Sequence, residues 1–160
     1  EILQQLINES KNYSSTKVSY LLKPHPANKE NDILSNLKQK LPPNFVFSKE
    51  KSFPKLLSQC SILITEASSV CLESFASGKP VIIIQNPSGL TYDPVPKDIP
   101  DELFKKCRSS IEIGKALNYF LSLDDEQIIK NHELGNEILS KYFEPVTAEG
   151  IERFLNLKHD

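Results

Sequence analysis

Residues 62–84 read ILITEASSVCLESFASGKPVIII, and this stretch decides the fold. A short apolar run at 62–64 is followed by the polar segment 65–69, by a segment with helical spacing, and by a second apolar run at 81–84. Parallel strands that are buried on both faces have such continuous apolar sequences, and Gly78-Lys79-Pro80 is typical of a helix end. The stretch therefore predicts a strand, a turn, a helix and a second strand.

The bulk composition is that of a globular domain with a real core. The chain has 160 residues, of which 39% are hydrophobic and 25% are charged. A formal net charge of −2 argues against a nucleic-acid-binding protein, because such proteins usually carry a clustered basic face. The sequence contains no apolar stretch near the ~20 residues that span a bilayer, and no signal-peptide pattern.

The three cysteines, Cys60, Cys71 and Cys107, have no CxxC spacing. We expect reduced and mostly buried thiols in a cytoplasmic protein, and the pattern gives no support for a zinc site. The sequence has no methionine and opens directly on a helical pattern. We therefore expect it to be a fragment of a longer protein, with a single domain over residues 1–160.

Hydrophobic periodicity, prolines and capping residues predict the other elements. These are a helix at 1–12, a polar break at 12–16, a strand at 18–22, a helix capped by Asn28 that carries Leu37 and Leu41, a strand at 45–47, a helix capped by Ser52, a loop at 86–100, a short helix within 99–107, a helix marked by Ile113, Leu117, Phe120 and Leu121, a helix opening at Asp124-Asp125, and a helix capped by Thr147 with Ile151, Phe154 and Leu155 inward. Because strands alternate with helices before helices alone close the chain, the predicted class is α/β. The predicted architecture is an open parallel sheet with helices on both faces and extra C-terminal helices.

Three polar clusters follow predicted strands, at 23–26, 48–51 and 65–69. Ligands of open parallel sheets bind outside the carboxyl ends of the strands, so we expect these clusters to converge there. The last cluster, which contains Ser68 and Ser69, opens a helix, where hydroxyls and unpaired backbone N–H groups favour an anion. Serines at such a position most often serve as helix caps, but their placement at the ligand edge favours a phosphate site.

His25 lies between Pro24 and Pro26, and Lys23 is two residues away on the same side of an extended segment. A fixed imidazole beside an ammonium group can hold an anion, and histidine can also donate a proton near neutral pH. We expect the other two histidines, His132 in a late helix and His159 near the end of the sequence, at the surface.

Two glutamates accompany the serine pair. Glu73, about one turn into the predicted helix, either lies on a solvated face or accepts hydrogen bonds from ribose hydroxyls. Glu66 could instead cap backbone donors of the turn. The sequence has no GxSxG, Walker or GxGxxG motif, and it shows no obvious carboxylate pair for glycoside hydrolysis.

The segment KPHP after a strand, followed about forty residues later by ITEASSVCLESFASGKPVIII, resembles the carboxy-terminal half of GT-B glycosyltransferases. The nearest groups are the sialyltransferase-like, capsule and glycerophosphotransferase-like enzymes of bacterial surface polysaccharides. The resemblance covers roughly residues 17–95 and implies a Rossmann-like nucleotide-binding domain. It makes His25-Pro26 the HP motif and Ser68-Ser69 the SS motif, both of which contact the phosphate of a nucleotide donor.

The resemblance implies further roles and partners. Ser48, Lys49 and the rest of their loop would lie against the base, with Phe53 as a wall. The donor would be a CMP-, CDP- or UDP-linked sugar, bound with no cofactor and no metal. A glycan or lipid-linked acceptor would bind through a missing N-terminal domain, on a cytoplasmic protein that can be peripheral to the inner face of the membrane. Because the first strand of the expected domain is also missing, the isolated fragment should be inactive.

Two other functions stay open. The turn also resembles that of UDP-N-acetylglucosamine 2-epimerases, which have glycines at the positions of Ser68 and Ser69 and a ribose-binding glutamate at that of Glu73. An epimerase would need no acceptor. Alternatively, the domain is a non-catalytic module that binds a protein partner at its sheet edge, and such a module should bind no nucleotide.

Overall fold

The computed structural model describes residues 2–11, 18–86 and 92–155. Predictions for residues 12–16, for part of the loop at 86–100 and for His159 fall wholly or partly outside these ranges. The described elements are α1 (Ile2–Ser10), β1 (Tyr20–Leu22), α2 (Glu30–Ser35), β2 (Phe45–Phe47), α3 (Phe53–Ser58), β3 (Leu63–Thr65), α4 (Val70–Ala76), β4 (Val81–Ile84), a 3-10 turn (Asp101–Leu103), β5 (Phe104–Cys107), α5 (Ser110–Leu121), α6 (Asp125–Tyr142) and α7 (Ala148–Leu155).

The strands pair in parallel, and the predicted α/β class is confirmed. Hydrogen bonds divide them into two short sheets, β1–β2 and β3–β4–β5, where the sequence predicted one sheet. Tyr20 lies opposite Phe45 in the first sheet, and Ile64 lies opposite Ile82 in the second. The arrangement is compatible with a doubly wound sheet, although β1 and β3 are not hydrogen-bonded to each other.

The short helix predicted within 99–107 is present as a 3-10 helix at Asp101–Leu103, but the strand that follows it was not predicted. A 3-10 turn at Asp101–Leu103 leads into β5, which pairs with β4 from Phe104 to Cys107. The sequence FKKC has a weak strand pattern, because its two central lysines obscure the alternation. Pairing with the fully buried β4 stabilises it as a strand.

Several predicted boundaries also move. The helix expected to start at Asn28 and to reach Leu41 spans only Glu30–Ser35, with Lys29 at its N-cap position and no side-chain cap. The strand expected at 62–64 begins and ends one residue later. Ser52 does occupy the N-cap position of α3, but its side chain makes no capping hydrogen bond.

Two clusters of buried side chains cover the two faces of the β3–β4–β5 sheet. The first joins this sheet to β1, β2, α1 and α5, and its buried members are Leu6, Ile7, Tyr20, Phe45, Ile82, Ile84, Cys107, Ile113, Ala116, Leu117 and Phe120. The second lies between the sheet, α4 and α6, and its buried members are Cys71, Phe75, Val81, Ile83, Val95, Ile99, Leu103 and Ile138. Helices therefore pack on both faces of this sheet, as the sequence predicted.

A left-handed glycine ends α4 and brings it against α6. Gly78 has φ +66, its N–H donates to Phe75 O at 2.8 Å, and the Lys79 N–H donates to Ser74 O at 3.0 Å. These two bonds form a Schellman motif, which favours glycine because a side chain is strained at positive φ. The turn packs on α6, where a Cβ built on Gly135 would lie 2.5 Å from Gly78 N.

The longer helix opens at Asp124-Asp125 and the last helix is capped by Thr147, both as predicted. Asp124 and Gln127 form a capping box at the start of α6, and Thr147 Oγ1 accepts from the Gly150 N–H at 3.0 Å. The inward orientation predicted for the apolar side chains of α7 is wrong, because no described residue of this helix is buried and Phe154 is 88% exposed. Its strong amphipathic pattern identifies an apolar face, but that pattern does not determine what covers it.

All three cysteines are free thiols; Cys71 and Cys107 are buried and Cys60 is half-buried. Desolvation raises the pKa of Cys71 and that of Cys107 to about 11, so both thiols are protonated at neutral pH. In the described ranges, no helix is both long and apolar enough to cross a bilayer.

Candidate functional site

The loop after β1 holds His25 in a defined orientation at the surface. Its Nδ1 accepts a hydrogen bond from the Ala27 N–H at 3.2 Å, and its carbonyl oxygen accepts from the Asn28 N–H at 2.8 Å. Because Nδ1 is the acceptor, the neutral ring carries its proton on Nε2. This N–H is a free donor on an exposed side chain. The neighbouring Pro26 is also exposed.

The loop after β2 is tied to the loop after β1. The Lys23 ammonium donates to the backbone oxygen of Glu50, and the Ser48 N–H donates to Leu22 O at 2.9 Å. Within this loop, Ser48 Oγ accepts from the Glu50 N–H at 3.2 Å, and a Glu50 carboxylate oxygen accepts from the Ser52 N–H at 2.8 Å. The first two predicted clusters therefore meet, as expected from their positions at the ends of adjacent parallel strands.

The participation of Lys23 in this link limits its role. One of its three ammonium protons is used on the Glu50 carbonyl, which leaves two donors for a ligand. Lys49 is exposed and Phe53 is half-buried, and no charged partner of Lys49 lies in the described ranges. The cationic charge of the loop pair thus remains available to an anion.

The turn after β3 presents two hydroxyls that the fold does not use. Ser69 occupies the N-cap position of α4, but its backbone is already helical (φ −62, ψ −19) and it makes no side-chain cap. Ser68 is half-buried, and its carbonyl oxygen accepts from the Cys71 N–H at 3.2 Å. Neither hydroxyl has a hydrogen-bond partner in the part of the chain that the structure describes, and the Ser69 N–H has none there either. The backbone N–H of Ser68 interacts with the Cys71 thiol. The simple capping role is therefore not the one these side chains perform.

The two glutamates differ in exposure. Glu66 is exposed and caps no backbone donor of the turn in the described ranges. Glu73 is half-buried in the first turn of α4, and its carbonyl oxygen accepts from the Ser77 hydroxyl at 2.9 Å. Its carboxylate has no partner among the described residues and remains an acceptor for a ligand's hydroxyls.

No hydrogen bond or ion pair among the described residues joins the His25 loop to the serine pair. Two cavities of about 420 and 280 Å³ lie along α2, and no predicted site residue lines either of them. Apart from Glu73 in α4, the predicted site residues lie instead in the turns that follow β1, β2 and β3. The convergence of all three clusters on one ligand remains a prediction.

The sequence analysis missed a further set of polar residues at the end of β5. Arg108 follows this strand, and its Nε donates to Gln85 Oε1 at 3.1 Å, while its backbone N–H donates to Glu112 Oε2 at 2.6 Å. Since β4 and β5 are parallel, Gln85 and Arg108 lie at the same edge as Ser68 and Ser69. The sequence did contain a signal for these residues. Arg108-Ser109 stands before a helical pattern, as the polar turn at 65–69 does.

The described ranges contain no group of three or more histidine, cysteine, aspartate or glutamate side chains arranged to hold a metal ion. Comparisons of the chain with protein-family models, with curated proteins and with solved structures found no match. The assignment of a function therefore depends on the residues of the strand edge alone.

Proposed function

We propose that the carboxyl edge of these strands binds the phosphate of a nucleotide-activated donor. In this proposal the chain is the Rossmann-like donor-binding domain of a GT-B glycosyl- or glycerophospho-transferase that makes surface polysaccharide. The two sheets would then be parts of one open, doubly wound parallel sheet. The resemblance of the KPHP and ASS segments to that family prompts the assignment, and the strand-end positions of these segments support it.

One observation carries the proposal: the donors at this edge are not used by the fold. Ser68 and Ser69 make no cap, and the imidazole of His25 is oriented with Nε2–H outward. A polar side chain in a purely structural turn usually bonds nearby backbone, as Ser109 does at the start of α5. Unused donors at the ligand edge of a parallel sheet are what a phosphate site requires.

The chemistry follows from where charge develops. When a nucleotide phosphate leaves, negative charge grows on its oxygens, and donors already aimed at those oxygens stabilise the transition state without reorganisation. The hydroxyls of Ser68 and Ser69 and the His25 Nε2–H would supply such donors, with Lys23 adding positive charge. Loss of one donor should raise the barrier of the complete enzyme by about 3–4 kcal/mol.

The binding step can be tested on this chain by calorimetry with CMP, CDP and UDP. We expect at least one nucleotide to bind, and His25→Ala and Ser69→Ala to weaken it about 10- to 100-fold each, because hydrogen bonds to a charged group contribute about 1.5–3 kcal/mol. His132→Ala, at an exposed histidine of α6, is the matched control and should leave affinity unchanged. Equal affinity in all three variants, or no binding of any nucleotide, would contradict the proposal.

A further inference from the structure

A guanidinium group with unused donors lies at the end of β5. Arg108 follows this strand, and its Nε–H donates to Gln85 Oε1 at 3.1 Å, which holds the side chain beside the end of β4. The protons on its two terminal nitrogens have no partner in the described ranges, and no acidic side chain there lies within ion-pair distance of it. The guanidinium is therefore oriented by the fold but not neutralised by it.

The carboxylate that stands nearest along the chain is used by the backbone. Glu112 Oε2 accepts from the Arg108 backbone N–H at 2.6 Å, and the Glu112 N–H donates to Ser109 Oγ at 3.3 Å. These two bonds satisfy donors at the start of α5, so this helix end has little left to offer an anion. The capacity to bind an anion at the end of β5 thus belongs to the guanidinium.

This side chain lies on the same face of the sheet as the start of α4. Successive residues of a strand alternate between the two faces. Ile84 and Cys107 belong to the first core cluster, so Gln85 and Arg108, one residue further along each chain, project to the opposite face, on which α4 packs. The serine pair at 68–69 immediately precedes α4. The guanidinium and the unused serine hydroxyls therefore share both an edge and a face of the sheet.

The register of the strands sets the distance between them. Thr65, Ile83 and Lys106 lie side by side across β3, β4 and β5. The serine pair starts three residues after this level on β3, and Arg108 comes two residues after it on β5. Two strand spacings, about 10 Å, separate β3 from β5. Because Arg108 leans towards Gln85 on the middle strand, about one strand spacing, roughly 5 Å, remains between its guanidinium and the serine turn.

An ion pair shows that another side chain of β5 reaches the start of α4. Lys106, which is on the same face as Arg108, donates to Asp93 Oδ2 at 2.6 Å. Burial is the main cause of the raised pKa of Cys71, in the first turn of α4, and the nearby charge of Asp93 raises it further. Because Lys106 pairs with Asp93, this carboxylate does not compensate the charge of Arg108.

We propose that Arg108 binds a second phosphate of the ligand whose first phosphate is bound by the serine pair, and that Gln85 is its positioning residue. This inference rests on the proposed function, and it makes the donor a nucleoside diphosphate derivative, such as a CDP- or UDP-linked sugar, instead of a CMP-linked one. A guanidinium binds phosphate through two parallel N–H bonds. Adjacent phosphates span the distance that remains, whereas a single phosphate at the serine turn leaves Arg108 unused.

The test is calorimetry of this chain with CMP and CDP at one ionic strength, because salt weakens the binding of both anions. The measured quantity is the ratio of the two affinities, which a general loss of folded protein does not change. We expect a preference for CDP of about 10- to 100-fold, because hydrogen bonds to a charged group contribute that much. Arg108→Ala should remove the preference, and Gln85→Ala should reduce it.

Two further variants separate charge from geometry. Arg108→Lys keeps the charge but loses the planar pair of donors, so it should restore only part of the preference that Arg108→Ala removes. Arg153→Ala is the matched control, because it removes an exposed arginine of α7 that pairs with Glu144. The ratio of affinities in this control should equal that of the unchanged chain.

Two results would overturn the proposal. CMP and CDP could bind the unchanged chain equally well, or Arg108→Ala could keep the full preference for CDP, as it would if this arginine were merely structural. In either case, CMP binding that is weakened by Ser69→Ala would leave the proposed function standing, so the two failures are distinguishable. Binding of neither nucleotide would overturn both proposals.

Discussion

Gly135→Ala should destabilise the domain, although alanine is the better helix former. A Cβ on Gly135 would lie 2.5 Å from Gly78 N, 2.8 Å from Gly78 Cα and 2.9 Å from Phe75 O, all of them backbone atoms. The Schellman turn fixes Gly78, so α4 and α6 must separate to admit the methyl group. Overpacking of this kind costs about 1–3 kcal/mol, against a helix-propensity gain of about 1 kcal/mol.

Because all three atoms are backbone and cannot move aside, the overpacking cost should lie in the upper part of this range, at about 2–3 kcal/mol. We therefore expect a net loss of about 1–2 kcal/mol in the free energy of unfolding. At about 2–4 °C per kcal/mol for a domain of this size, the unfolding temperature should fall by about 2–8 °C. Urea denaturation followed by circular dichroism, with calorimetry, measures both quantities. The control is Gly150→Ala in α7, where the Cβ would meet only the Thr147 hydroxyl at 3.1 Å and Pro145 O at 3.8 Å. A stabilised Gly135→Ala, matching the control, would refute the close packing of α4 on α6.

Two further predictions concern titratable groups. Because burial raises the pKa of Cys71 and Cys107 to about 11, a thiol reagent at pH 8 should label the native protein first at Cys60, and labelling of all three thiols at one fast rate would contradict this. The free energy of unfolding should also decrease as pH rises from about 9 to 11, because the thiols lose their protons at lower pH in the unfolded chain than in the folded one. Hydrogen bonds from Lys141, the larger effect, and from Tyr142 lower the pKa of Asp98 to about 2. The contribution of this carboxylate to stability should therefore be complete above pH 3.8 and lost as pH falls towards 2. Carbon NMR of the carboxyl group measures this pKa, and a midpoint near 3.8 would be inconsistent with the ion pair.

The sequence predicts this fold best where burial of one face makes apolar residues recur at a regular spacing. The strands at β1, β2 and β4, the start of α6 at Asp124-Asp125 and the burial of Cys71 and Cys107 all follow from local patterns, and the structure confirms them. The strand β5 does not follow from its own residues, because its stability comes from pairing with β4. The exposed face of α7 is a failure of the same kind, since periodicity identifies a face without its partner.

In the candidate site, too, local patterns predict some features, and contacts between distant residues determine the others. Which residues stand at strand ends can be predicted, because strand ends depend on local pattern. The bond from Lys23 to the Glu50 carbonyl and that from Ser52 to the Glu50 carboxylate could not, because they depend on the register of β1 against β2 and on side-chain reach. The missing side-chain cap at Ser69 could not be predicted either, because a serine before a helix most often caps it and sequence does not show where the hydroxyl points.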